Sequence, residues 1–269
     1  MTDSPSSQRW TAILLAGQRP GIDPLAESAG IARKALIPIA GEPMLARVAR
    51  TLLACPSIAD VVVLSQTPDA LIADAPAWMA REPRLRTAAG GAGISTSIAA
   101  VAGGAAVPWP VLVTTADHPL LTVATIETFL AGVGEADVAV AAVERQVLHA
   151  AYPGNRRTWL KFADGAWTGA NLFALRGDRA RPALTSWAEV EQDRKKALKL
   201  VWHFGPLLAL RAVTRTIGLG GAIAAAGRRM GLTARLVPLP DPTAAIDVDK
   251  PADLALAERI LQAREAPPA

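Results

Sequence analysis

Three short groups of residues in this sequence could do chemistry, and each suits phosphate or a divalent cation. The first is the apolar run from Trp10 to Leu15, closed by Ala16 and Gly17 and followed by a loop that carries Arg19, Arg33 and Lys34. An apolar strand ending at a glycine delivers a tight turn, and a turn followed by cations is a cradle for a polyphosphate. The second is Thr114-Thr115-Ala116-Asp117-His118-Pro119, at the end of an apolar run over 110–115. A carboxylate just past the carboxyl end of a parallel strand lies where open α/β sheets bind ligands, and Mg2+ takes one or two carboxylates together with substrate phosphates. The competing role for Asp117 is to cap the next helix. The third is Asp247-Val248-Asp249. Alternation along an extended segment puts both carboxylates on one face, where they repel unless a cation or solvent relieves them. Here the competing reading is that Asp249 caps the last helix and Asp247 is solvated.

Other chemistries are poorly served. The Gly17 loop lacks the Gly-Lys-Ser/Thr ending of a Walker A loop and the glycine spacing of a dinucleotide fingerprint. The next strand ends in Ser65-Gln66, with no acidic residue to hold a ribose. His118, His149 and His203 show no metal-ligand spacing. The one cysteine, Cys55, allows neither an internal disulfide nor a cysteine zinc cluster. Two weaker signals remain: the glycine-rich turn Gly90 to Gly93, with Ser95 as an expected helix N-cap and Ser97 beyond it, and Thr168-Gly169-Ala170-Asn171 leading into a strand.

The elements that would position these groups alternate. Strands are expected at 10–16, 60–65, 85–88, 110–115 and 137–143, with helices near 43–53, 69–80 and 123–131 between them. That alternation predicts a mainly parallel sheet covered on both faces. Further strands are expected at 158–162, 169–175 and 233–237, and a final helix over 252–263. The region from Thr185 to Gly231 reads as consecutive helices. Net charge is +4 but uneven: Arg176 to Arg235 holds twelve Lys/Arg against four Asp/Glu, while the rest of the chain is net negative. Such a region suits an anionic partner or is simply a solvated basic surface. Within it the run Leu198 to Leu210 is apolar, with Trp202 and Phe204, and Arg211 and Arg215 follow. Its uncharged runs are too short to span a bilayer. Contact with an anionic membrane surface or a lipid-linked phosphate through 195–230, or a soluble cap or dimer contact, are the alternatives. The polar, Ser-rich start from Met1 to Gln8 has no signal-peptide pattern, so a cytoplasmic, at most membrane-peripheral, protein is expected.

Taken in order, these motifs resemble the NTP transferase superfamily of the molybdenum-cofactor guanylyltransferase and cytidylyltransferase type. The matching residues are Leu15-Ala16-Gly17, Lys34-Ala35-Leu36, Gly41-Glu42-Pro43-Met44-Leu45, Gly93-Ile94-Ser95-Thr96-Ser97, Asp117-His118-Pro119 and Asp247 through Leu254. The resemblance covers about 10–175 and 233–262; residues 176–232 have no counterpart in the minimal family and read as a basic, apolar helical insertion in a single domain spanning 1–269. It implies a Rossmann-like three-layer α/β/α fold and a Mg2+-dependent transfer of an NMP from an NTP, CTP or GTP, to a small phosphorylated acceptor. Leu15, Ala16, Gly17, Arg19 or Arg33, Gly93, Ser95 and Ser97 would bind nucleotide. Lys34 would neutralise charge on the α-phosphate, Asp117 and Asp247 would hold Mg2+, and Asn171 would meet the acceptor. No nucleic-acid partner is implied. A molybdopterin-specific enzyme and an inactive nucleotide-binding regulator are the other readings.

Overall fold

The computed structural model of the chain describes residues 8–18, 21, 23–91, 93–192 and 206–265, apart from the side chains of 190–192 and 206. Its axis is β1 (Trp10–Leu15). Ala12, Ile13 and Leu14 are fully buried, so both faces of this strand are covered, as its unbroken apolar run implies. The strand pairs in parallel with β4 (Ile58–Ser65) on one side and β6 (Val111–Thr115) on the other. Between them in sequence comes a small antiparallel hairpin of β2 (Pro38–Ile39) and β3 (Glu42–Pro43).

The full order is β10-β7-β9-β6-β1-β4-β5, with β5 (Leu85–Ala89), β7 (Val138–Glu144), β9 (Gly165–Leu175) and β10 (Ala234–Pro238). β9 runs antiparallel to β6 and β7, and β8 (Leu160–Phe162) folds back on it. The chain moves outward from β1 to β4 and β5, then crosses to β6 on the far side of β1. That reversal opens a crevice outside the carboxyl ends of β1 and β6, the usual ligand position in such sheets. Leu15 pairs with Thr115, so Gly17 and Asp117 each leave the sheet two residues later at the same level.

The period-2 rule sorts the core into two layers. Val61 and Val63 of β4 face one side, Val62 and Leu64 the other. The first layer is covered by α2 (Met44–Ala54), α6 (Val123–Val133), α7 (Arg145–Ala151) and α11 (Pro251–Glu265), joined by the short α1 (Pro24–Ser28), α3 (Pro68–Ala73) and α4 (Ala77–Arg81). α2 buries Met44, Leu45, Val48, Ala49 and Leu52, an amphipathic spacing. The second layer is covered by α5 (Ile94–Val101) and α8 (Arg181–Gln192).

Three local expectations change. The helix expected at 69–80 is two helices, because Pro76, at the N-cap of α4, has no N–H to continue a helical ladder. The loop expected over 18–33 contains α1, whose start is fixed by Pro24 and by Asp23, which accepts from Leu25 N and Ala26 N at 3.0 and 3.1 Å. The helix α7 between β7 and β8 was not expected at all.

In the predicted insertion, α8 packs on α5, and α9 (Pro206–Val213) and α10 (Leu219–Arg229) follow. The Asp164 carboxylate accepts from Leu219 N at 3.0 and 3.1 Å and so ties the start of α10 to the β8–β9 turn. Gly227 near its end lets the helix lie against Ala234 of β10. Leu198, Trp202 and Phe204 lie outside the described residues. Among the described residues no helix is long and apolar enough to cross a membrane.

Candidate active site

The turn after β1 is held by neighbours on both sides. Ala16 N donates to Leu64 O at 3.0 Å, and Ala116 N donates to Leu15 O at 2.9 Å. Gln66, which sequence reasoning valued only for not being acidic, pins the loop: its Oε1 accepts from Gln18 N at 3.0 Å and its Nε2 donates to Gln18 O at 3.1 Å. A Cβ at position 17 would sit 3.0 Å from the same amide, so Gly17 is the residue that fits. Gln18 Nε2 donates to Ala32 O at 3.1 Å, drawing the far end of the loop back toward the turn.

At that far end two adjacent cations diverge. Arg33 is ion-paired with Asp74, at the end of α3. Lys34 points into the crevice, and its Nζ donates to Asp117 Oδ2 at 2.7 Å and to Asp249 Oδ1 at 2.5 Å. Burial works against the ammonium, but the charges and hydrogen bonds of Asp117 and Asp249 outweigh it and hold the Lys34 pKa above the ordinary lysine value. Arg19 lies outside the described residues.

Asp117 does not cap a helix. The next helix, α6, is capped by Thr122, whose hydroxyl accepts from Thr125 N at 3.1 Å. Asp117 uses one oxygen on Lys34, while its other oxygen, Oδ1, is buried with no hydrogen-bond partner. Its backbone carbonyl accepts from Val248 N at 2.8 Å, which fastens the Asp117 loop to the segment carrying Asp247 and Asp249. His118, next in sequence, is fully buried, and burial drives its pKa down to about 4, so the ring is neutral at pH 7.

Asp247 and Asp249 flank the buried Val248, as alternation predicts, but they meet different partners. Asp249 takes Lys34. Asp247 takes Arg157, whose guanidinium pairs with its carboxylate and also donates to its backbone carbonyl at 2.9 Å. Arg157 also lies 3.6 Å from Asp253. At the start of α11, Asp253 accepts from Asp249 N and Lys250 N at 3.3 and 3.1 Å. Burial raises the Asp247 pKa; Arg157 opposes this, and the like charges of Asp117 and Asp249 add to it.

Asn171 donates to Asp247 Oδ2 at 3.3 Å from a residue with φ of 49°, a left-handed position that asparagine tolerates. It sits where the β7–β9 register shifts, and the bulge re-aims its side chain toward the crevice. The Gly90–Ser97 loop closes the β5 side. The residue at the N-cap of α5 is Gly93, not Ser95, which is fully buried as the second residue of the helix. Ser97 organises the loop: its hydroxyl accepts from Gly91 N at 2.8 Å and donates to Gly93 O at 2.5 Å.

The structure therefore gathers Lys34, Asp117, Asp247 and Asn171 at one edge, beside Gly17. It directs Arg33 elsewhere and adds Arg157, Asp249 and Gln66. Among the described residues no three His, Cys, Asp or Glu side chains form a ready-made metal cage.

Among solved structures, a hypothetical transferase from Thermus thermophilus is similar to this chain at 28% identity and a TM-score of 0.73, covering 91% of this chain and 99% of its own. A 4-diphosphocytidyl-2C-methyl-D-erythritol synthase from Anaerococcus prevotii matches at 11% identity and a TM-score of 0.57, covering 95% of this chain and 97% of its own. A CMP:2-keto-3-deoxy-manno-octonic acid synthetase complexed with CTP matches at 18% identity and 0.56, covering 96% of this chain and 100% of its own. At those identities the last two show the shared fold. A comparison with curated proteins gives no match. The family model for the MobA-like NTP transferase domain matches residues 13–201, which takes in the second half of β1, the Lys34 loop, β6 and the Asp117 turn after it, and β9 with Asn171. The chain belongs to the MobA-like NTP transferase domain family and is a nucleotidyltransferase.

Proposed function

We propose that this nucleotidyltransferase moves an NMP from an NTP, CTP or GTP, to a small phosphorylated acceptor. The observation that carries the reading is Lys34, held between Asp117 and Asp249 at the carboxyl edge of β1 and β6, beside the Gly17 turn. CTP is favoured over GTP by the fold-related synthetase whose structure holds CTP.

An acceptor phosphate oxygen attacks the α-phosphorus, the bond from that phosphorus to the bridging oxygen of the β-phosphate breaks, and pyrophosphate leaves. Such a transfer needs positioning and charge stabilisation rather than a covalent nucleophile. The Gly17 amide, which follows Leu15 and the sheet-bound Ala16, cradles the phosphates, while Gly93, Ser95 and the Ser97-braced loop border the nucleoside. Lys34 neutralises charge that develops on the α-phosphate. Asn171 meets the acceptor, and Arg157 steadies Asp247.

The residues fit a Mg2+ ion. Asp117 keeps one buried oxygen without a partner, Asp247 brings a second carboxylate whose burial and like-charged neighbours disfavour its ionised form, and Mg2+ needs only one or two carboxylates when phosphates complete its shell. When bound there it would neutralise phosphate charge.

The test is a pyrophosphate-release screen of the four NTPs against sugar, polyol and pterin phosphates, with and without Mg2+. Asp117→Ala and Asp247→Ala should abolish release while keeping a cooperative melting transition. Near-normal turnover in both variants would sink the assignment. A preference for pterin phosphates alone would replace the small-phosphate reading by the molybdopterin one.

A further inference from the structure

Behind the crevice, between the second sheet face and the helices α8, α9 and α10, lies a chamber of about 410 Å³ that opens broadly to the surface. Its volume falls in the size range of small-molecule sites. Every described side chain that lines it is apolar. The wall includes Val113 of β6, Phe173 of β9, Trp187 of α8 and Ala222 of α10. The Phe173 and Trp187 rings meet at 5.0 Å between centroids. A nucleobase, pterin or sugar placed there would lose its hydrogen bonds to water and find none in return, which is costly. The chemistry that fits is hydrocarbon.

Two strands run from the chamber straight to the crevice. Val113 lines the chamber, β6 ends at Thr115, whose buried hydroxyl oxygen has no hydrogen-bond partner, and Asp117 lies two residues on in the turn that follows. Two residues of strand and two of turn span at most about 13 Å. On β9, Phe173 lines the chamber and Asn171, two residues away, donates to Asp247. A molecule with its head at Asp117 and Asn171 thus has an apolar space within reach of its tail. The helix α9 adds a separate observation. Its Ala209 and Ala212 line the chamber, while Leu207, Leu210 and Val213 are 70%, 59% and 70% exposed. These recur every three residues along one stripe, with Arg211 beside them. An exposed leucine stripe with cations beside it suits contact with lipid.

We propose that the chamber receives the hydrocarbon tail of the phosphorylated acceptor, so that the acceptor is an amphiphile with a phosphate head, such as an alkyl or isoprenyl monophosphate. The proposal rests on the transferase reading given above. Decyl phosphate and farnesyl monophosphate are the probes, with glycerol 3-phosphate as the tail-less control, and displacement of a fluorescent dansyl-labelled undecanoic acid is the readout.

Both hydrocarbon phosphates should displace the dye saturably and glycerol 3-phosphate should not. Ala222→Phe and, separately, Ala183→Leu should weaken the two hydrocarbon phosphates at least tenfold while a cooperative melting transition remains. Ala226→Leu replaces either variant if it fails to fold. No saturable displacement, or affinity unchanged in the filled variants, overturns the proposal. So does pyrophosphate release with glycerol 3-phosphate but with neither hydrocarbon phosphate. Failure of every acceptor in the earlier screen and of both hydrocarbon phosphates to release pyrophosphate would sink the transferase reading, whereas displacement of the dye is read without NTP and stands apart from it. Supplying farnesyl monophosphate in anionic or neutral vesicles, with Leu207→Glu and Val213→Glu as variants, separates delivery from a membrane from delivery out of solution. In either case the tail enters the same chamber.

Discussion

Replacing Lys34 by methionine keeps the length and apolar bulk of the side chain and removes only the charge. In the wild-type chain the Lys34 side chain is 16% exposed, against 24% for Asp117 and 55% for Asp249. The Asp249 arm is therefore largely screened by solvent and adds little to stability, as exposed pairs do. The Asp117 arm counts for more, because its loss leaves a half-buried carboxylate facing Asp247 with no cation between them. Breaking a fully buried pair costs about 3–5 kcal/mol; with one arm screened, a loss of about 2 kcal/mol is expected. In a chain of this size that lowers Tm by about 4–8 °C.

The catalytic effect should be larger and of a different kind. An electrostatic donor aimed at developing charge is worth about 2.7–4 kcal/mol, or 10²–10³ in kcat. The assay is pyrophosphate release with CTP and the acceptor found in the screen, at a temperature well below the variant's Tm. A drop in kcat of at least tenfold is required. If KM rises and kcat stays, Lys34 binds ground state and transition state alike, and the assigned role is wrong.

Arg157→Leu should cost about 2 kcal/mol, because Asp247 is left half-buried without its cation, and the double variant with Asp247→Asn should recover more than half of that loss; equal losses in chemical denaturation would refute the coupling. Gly227→Ala in α10 ought to gain up to about 1 kcal/mol from helix propensity. The new Cβ, however, lies 2.6 Å from Ala234 Cβ and 2.8 Å from Ala234 N, so overpacking should win by about 1–3 kcal/mol net, and a raised Tm would contradict the tight docking of this helix. Burial and the Glu127 carboxylate push the Cys55 thiol up from 9.0 to about 12. At pH 8 its thiolate is about a thousandfold scarcer than that of an unperturbed thiol, so thiol labelling should be slower by at least that factor unless the protein unfolds. Because the folded pKa is the higher one, the thiol's contribution to stability is present below pH 9.0 and lost as pH rises toward 12. Cys55→Ala should flatten that alkaline limb of a Tm-against-pH curve. Chelation by EDTA should weaken CTP binding at least tenfold in calorimetry; unchanged affinity would argue against a divalent ion between nucleotide and carboxylates.

What could be read from the sequence follows from burial. β1, β4 and β6 are covered on both faces, so their apolar runs are unbroken and their ends, Gly17 and Asp117, could be placed to within a residue. Asp247 and Asp249 could be put on one face, but their partners could not be named, because a partner is a matter of tertiary geometry. Asp249 reaches Lys34 across 215 positions of sequence. Arg157 lies in the irregular stretch between α7 and β8, where no periodicity marks which way a side chain turns. The one clue to it is chemical: Asp247, Asp249 and Asp253 fall within seven residues and need more positive charge than Lys250 next to them supplies. The helix α7 opens on Arg145-Gln146 and buries only Leu148 fully, too thin a stripe to stand out from a loop. Ser95 has the residue type of an N-cap, yet Gly93 takes that position because the glycine turn enters the helix two residues earlier.

Charge arithmetic joins these pieces into one requirement. At the carboxyl edge of β1 and β6, the ion pairs among the described residues set Asp117, Asp247, Asp249 and Asp253 against Lys34 and Arg157, and Arg33 is committed to Asp74. Those ion-paired side chains carry a net negative charge, and a nucleoside triphosphate is strongly negative too. Bringing them together without added cations would place like charges at close range in a partly buried crevice, where screening is weak. The pKa of Asp247 is already raised by burial and by its like-charged neighbours, so the site is under electrostatic stress before any ligand arrives. Lys34 cannot relieve it by itself, since its ammonium is already shared between two carboxylates. A divalent cation that takes the unpartnered oxygen of Asp117 would reverse the local sign and free Lys34 to follow the α-phosphate. The arrangement is coherent for a transferase that admits nucleotide and metal together, and incoherent for a site meant to hold a bare polyphosphate.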